Sequence, residues 1–222
     1  MVRLSEDDSV PRVEDAAERF KRLCTQCRNA DKYQQAILPT YSDMMARKTT
    51  LDKARKESNA AQDTVWLYDS LLDDVLRDTQ GRAKEFDRNN PGANTAGLIF
   101  PGGNITSIVT MPDKDEPEAA HAIAQKIVSL GATHVLYPLA AQIESAVADC
   151  KDALAQQVAA TRAEGDAKTA LIISKAAVVR QYNAIYYTAA SDVDKNYAEK
   201  LYPKLDPPKK KKGGTASEDQ TK

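Results

Sequence analysis

Residues 89–117, NNPGANTAGLIFPGGNITSIVTMPDKDEP, break the character of the chain, and their reading decides its fold. Two short β-prone runs, Leu98-Ile99-Phe100 and Ile105 to Val109, flank Pro101-Gly102-Gly103-Asn104. Glycines at that point supply positive φ for a tight turn, so the stretch predicts a small β-hairpin-like connector at 95–111. A two-stranded hairpin is marginal alone in water, so it should pack on a helix or pair with a partner.

On the N-terminal side, apolar residues recur every three or four positions: Val13, Ala17, Phe20, Cys24, Cys27, Ile37, Tyr41, Met44 and Leu51. After a small phase slip at Lys56 the pattern resumes at Ala61, Val65, Tyr68, Leu72, Val75, Thr79 and Phe86. That spacing predicts a first helical arm over 12–88. Pro39 lacks an amide hydrogen and crowds the preceding turn, so a kink is expected there.

On the C-terminal side, Asp113, Asp115, Glu116 and Glu118 suit the positive end of a helix dipole, and Pro117 is tolerated near a helix start. Ile123, Ile127, Leu130, Leu136, Leu139, Ile143, Val147, Cys150, Leu154, Val158, Ile172, Val179, Tyr186, Val193, Tyr197 and Leu201 then mark a second arm over 117–202. Gly131 and Pro138 mark a second kink, Gly165 is a weak point, and Pro203, Pro207 and Pro208 end the arm.

The expected fold is all-α: a long antiparallel helical hairpin kinked near Pro39 and Pro138, joined by the 89–116 connector. Residues 1–11 read as a disordered lead-in and 203–222 as a disordered lysine-rich tail. The alternative is a compact four-helix bundle, with turns at Pro39 and Gly165 dividing the chain into 12–38, 42–88, 117–163 and 167–201. Trp66, Leu67, Leu71, Leu76, Ile173, Val178, Ile185 and Tyr187 lie off a single apolar seam, and a stripe that wide suits helices with two neighbours.

Composition narrows the function. Net charge is −1, so no global basic field argues for specific nucleic acid binding. Three cysteines form an odd, sparse set that suits a reducing compartment better than a disulfide framework. The N-terminal MVRLSEDDSVPR has no apolar core of a secretory signal, and no run matches the ~20 apolar residues of a membrane span, so a cytoplasmic location is expected. Lys209 to Lys212, followed by Glu218 and Asp219, read as a solubilising end.

Candidate chemistry is thin. Cys24 and Cys27 form a CxxC, but the motif sits on the helical stripe with no preceding strand, and Arg28 stands where haem attachment needs histidine. Zinc needs two further ligands, and no second CxxC or paired histidine supplies them. Glu118 and His121 have the ExxH spacing of di-iron bundles, yet those need two such motifs plus two further glutamates. Asp69, Asp73, Asp74 and Asp78 read as a solvated acidic face. No catalytic, cofactor or metal residue is assigned.

The expectation is a non-enzymatic structural or scaffolding protein, a homo-oligomer associating through its arms and connector. Leu98, Ile99, Phe100, Ile105, Ile108, Val109 and Met111 are its interaction residues, since an apolar tip marks a docking surface unless it folds back as a cap. A protein partner at the connector follows as a further expectation. The alternatives are a membrane-active protein that inserts 98–111, in which Phe100→Asp abolishes lipid binding, and a thiol redox protein using Cys24 and Cys27.

Overall fold

The computed structural model describes residues 3–100, 102 and 104–204. The Lys209 to Lys212 run, and Pro101 and Gly103 of the expected turn, lie outside the described residues. The protein is all-α: among the described residues there is no strand. The helices are α1 (Val10–Gln26), α2 (Asp31–Asn89), α3 (Thr95–Ile99), α4 (Thr106–Val109), α5 (Glu116–Ser129), α6 (Tyr137–Asp192) and α7 (Lys195–Leu201).

The helix breaks differ from those expected. The 12–88 arm is interrupted at Cys27–Ala30, where Asn29 takes a left-handed φ of 59°. Asparagine tolerates that conformation better than most residues, and Asp31 then opens α2 with a favourable dipole contact. Pro39 lies inside α2, which continues past it to Asn89. Near Pro138 the expected kink is a full break. Gly131 adopts φ 96° and ends α5, and Pro138 falls in the first turn of α6, where its missing amide hydrogen has no partner to lose. Gly165 leaves α6 uninterrupted, so the turn required there by the four-helix layout does not form.

The chain divides into two compact units, to both of which α2 and α6 contribute. The first comprises Met1–Thr50 and Lys168–Lys222. Here α1 packs on α7, and Phe20 meets Tyr182 and Tyr202 at ring-centroid distances of 5.6 and 4.9 Å. Lys48 pairs with Glu14 at 2.6 Å and the Tyr41 hydroxyl donates to Glu18 at 2.8 Å, fastening α2 to α1. Residues ahead of α1 are held against α6: Leu4 is buried, Asn183 donates to its carbonyl at 2.9 Å, and Lys175 donates to the carbonyls of Glu6 and Asp8.

Two phenols in this core have opposite status. Tyr202 donates its buried hydroxyl to the Tyr182 carbonyl at 2.7 Å, whereas the Tyr182 hydroxyl is buried with no partner among the described residues. Removing a satisfied hydroxyl loses about 1 kcal/mol, while removing an orphaned one relieves a desolvation penalty. Urea unfolding should therefore rank Tyr202→Phe about 1 kcal/mol below the parent and Tyr182→Phe at or above it. The reverse order would show that this core is arranged differently.

The second unit is Leu51–Ala167. Arg55 pairs with Glu164 at 3.3 Å and Gln157 donates to Gln62, so α2 and α6 run antiparallel within it. Its core joins Leu72 and Leu76 of α2, Ile123 and Ile127 of α5, and Leu139, Ile143 and Val147 of α6. His134, in the break between α5 and α6, accepts the Leu136 amide hydrogen on Nδ1 at 3.2 Å and lies against Phe86.

Helical turns replace the β-hairpin expected in the connector, because side chains at its borders satisfy helix-start amides. Asp87, near the end of α2, accepts the Thr95 and Ala96 amide hydrogens at 2.7 and 2.9 Å and so starts α3. Burial pushes its carboxyl up, but these backbone donors and nearby His134 outweigh that and leave its pKa below the ordinary value. Asn104 Oδ1 accepts the Thr106 amide hydrogen at 3.1 Å and likewise starts α4.

Candidate functional site

The connector is folded inward. Ile99, Phe100, Ile105 and Ile108 are buried and belong to the core of the second unit, and Val109 is partly buried against it. Of the seven expected interaction residues, Leu98, at 63% exposure, and Met111, at 39%, face outward. Both α3 and α4 pack on α5, and Lys126 of α5 donates to the Ile99 carbonyl at 3.0 Å. Each fully buried Ile or Phe contributes about 1.5–3 kcal/mol of transfer free energy, so these side chains are a cap closing the core.

The sequence motifs do not converge. Cys24 is buried, and burial first, then Cys27 and Asp31, raise its thiol pKa to about 12. A thiol held protonated is a poor nucleophile and a poor metal ligand. Cys27 is half-buried at the end of α1, and both cysteines are free thiols. Glu118 pairs with Lys151 at 3.0 Å while His121 pairs with Glu144 at 2.8 Å, so the two members of the ExxH motif point to different partners. Among the described residues, no group of three or more His, Cys, Asp or Glu is arranged to hold a metal ion. Nor is any helix there long and apolar enough to cross a membrane.

Two features stand out. The first is apolar. Within six residues of α2, Trp66, Leu67 and Leu71 are 60%, 57% and 45% exposed, whereas Val65, Leu72 and Leu76 face the core. The off-seam residues noted in the sequence therefore divide: Leu76, Val178 and Ile185 are buried, while Trp66, Leu67, Leu71, Ile173 and Tyr187 are not.

The second feature is polar, and the sequence reading missed it. Glu116 opens α5 and is only 1% exposed. Its carboxyl lies within hydrogen-bond reach of Asp69 and Asp73, one helical turn apart on α2. Oε1 of Glu116 and the Oδ1 atoms of both aspartates are buried, and none receives an N–H or O–H from the described residues. Arg77 pairs with Oδ2 of Asp73 at 2.9 Å, Asp113 adds negative charge beside Asp69, and the cluster in turn helps to raise the buried Cys150 thiol. Burial first, then the neighbouring Asp69 and Asp73, push the Glu116 carboxyl up to about 8 from an ordinary 4.5. Burial also raises Asp69. Of the four aspartates read as a solvated face, Asp74 and Asp78 are exposed, while Asp69 and Asp73 are drawn against Glu116. The only hint in the sequence was i, i+4 spacing of the aspartates, which is common on solvated helices.

Comparison with known proteins returns no match among family models, curated proteins or solved structures.

Proposed function

We propose that this chain is a non-enzymatic helical scaffold that self-associates, with Trp66, Leu67 and Leu71 of α2 forming the contact. The observation that carries the reading is the exposure of these three large side chains side by side on a long helix whose opposite face is already buried in the core. Clustered apolar side chains in water mark association surfaces, and tryptophan is among the commonest energetic anchors of such contacts. Ile172 and Ile173 of α6, 53% and 63% exposed in the first unit, are further contact candidates. The connector's share is limited to Leu98 and Met111.

The chain has one tryptophan, so its emission reports the contact directly. Raising the protein concentration should shift Trp66 emission to the blue as light scattering records a multiple of the monomer mass. Leu67→Glu with Leu71→Glu should weaken association at least about a hundredfold while leaving helicity intact, because each buried unpaired charge costs more than 1.4 kcal/mol. A parent protein that stays monomeric at micromolar concentration would refute this reading.

A further inference from the structure

We infer that a proton shared among Glu116, Asp69 and Asp73 latches the start of α5 to α2, and that its loss on alkalinisation frees α5 together with the connector packed on it. This inference is independent of self-association. It rests first on the geometry of three carboxyls from two helices. One oxygen of each is buried without a donor among the described residues, and Glu116 reaches both aspartates. A hydrogen bond between two carboxyls exists only when one of them carries a proton. With that proton the cluster is a bonded bridge between α5 and α2. Without it, three like charges meet at a buried point.

The surroundings set which state holds. From α2, Arg77 faces the cluster as its cation and is already engaged by Asp73. From the segment before α5, Asp113 adds negative charge. From α6, Cys150 presents a buried thiol, its pKa raised to about 11 by burial first and then by Asp69 and Glu116. Among the described residues, one engaged guanidinium against four carboxyls leaves the proton to relieve the repulsion. The raised affinity of Glu116 for a proton agrees with this arrangement.

Release has a defined consequence. Because α3 and α4 pack on α5, loosening α5 uncovers the buried connector residues Ile99, Phe100, Ile105 and Ile108. Cys150, 0% exposed and adjacent to the latch, becomes accessible at the same time. The device thus couples protonation to exposure of an apolar surface.

Cys150 supplies the test. The full chain is pulsed with N-ethylmaleimide in chelator-treated buffer at about pH 6 and about pH 8.5, and Cys150 labelling is read by peptide mass spectrometry, with Cys27 in the other unit as the reference thiol. Between those pH values the Cys150 labelling rate of the parent, relative to that of Glu116→Gln, should rise at least about tenfold. An unchanged ratio overturns the latch. If Glu116→Gln fails to fold, Asp69→Asn removes one of the facing charges and should shrink the alkaline rise in Cys150 labelling by a similar factor. An undiminished rise in that variant also overturns it. Calcium or magnesium that protects Cys150 at the higher pH as fully as acid does would assign the cluster to a cation and overturn the proton latch.

Discussion

Phe100→Asp should unfold the second unit rather than trim a surface. Phe100 is 0% exposed and packs in the cluster that joins α2, α5 and α6. Truncating a buried Phe costs about 3–5 kcal/mol, and an aspartate in its place adds an ionised group with no partner. A loss of at least about 4 kcal/mol is expected in urea unfolding, enough to leave a marginally stable unit largely open at room temperature. Leu98→Asp, two residues away and mostly exposed, should change stability by less than about 0.5 kcal/mol. The pair also bears on membrane contact. Lost lipid binding by Phe100→Asp would report unfolding, so Leu98→Asp and Met111→Asp are the informative variants. If Phe100→Asp keeps the parent's unfolding midpoint, the inward connector is wrong.

The second large effect is a fall in stability with rising pH. The Glu116 carboxyl is held at about 8 in the folded chain against an ordinary 4.5. Between those values the folded state binds more protons than the unfolded state, so the unfolding free energy decreases as pH rises. The contribution is fully present below about pH 4.5, is lost progressively through about pH 8 and is flat above. Its size is on the order of 5 kcal/mol. Asp69, also raised, adds a decline of the same sign. Asp87 and Asp192, whose carboxyls are held below their ordinary value, act oppositely, with stability lost as pH falls below the usual carboxylate range. Denaturant titrations from about pH 5 to about pH 8 should therefore show a steady decline in the parent and a much flatter profile in Glu116→Gln. Parallel profiles for the two proteins would contradict this account.

Much of the helical content was legible because it depends on local information. The three-to-four-residue recurrence of Val13, Ala17, Phe20 and Cys24, and of Ile37, Tyr41, Met44 and Leu51, predicts helical faces, and each of these residues is buried. Helix ends were legible only in part. Gly131 and Pro138 predict a kink, where the structure has a full break. The break at Asn29 is not legible, because the left-handed conformation of a single asparagine carries no periodic signature.

The connector is illegible in the sequence for a different reason. Leu98-Ile99-Phe100 and Ile105 to Val109 are too short for periodicity to separate strand from helical turn. Asp87 settles the matter by capping amides eight and nine residues ahead. That contact exists only once α2 has ended and the chain has turned.

By itself the sequence determined an all-α chain with long helices and a composition suited to burying one face of each. Periodic apolar spacing is a property of neighbouring residues and survives without knowledge of the fold. Tertiary structure alone decided which apolar residues stay in water, turning Phe100 inward and leaving Trp66, Leu67 and Leu71 outside. It also brought Glu116 against Asp69 and Asp73, more than forty residues away in the chain. Long-range proximity of like charges leaves no trace in local spacing, because only packing sets the burial that makes such a group hold its proton.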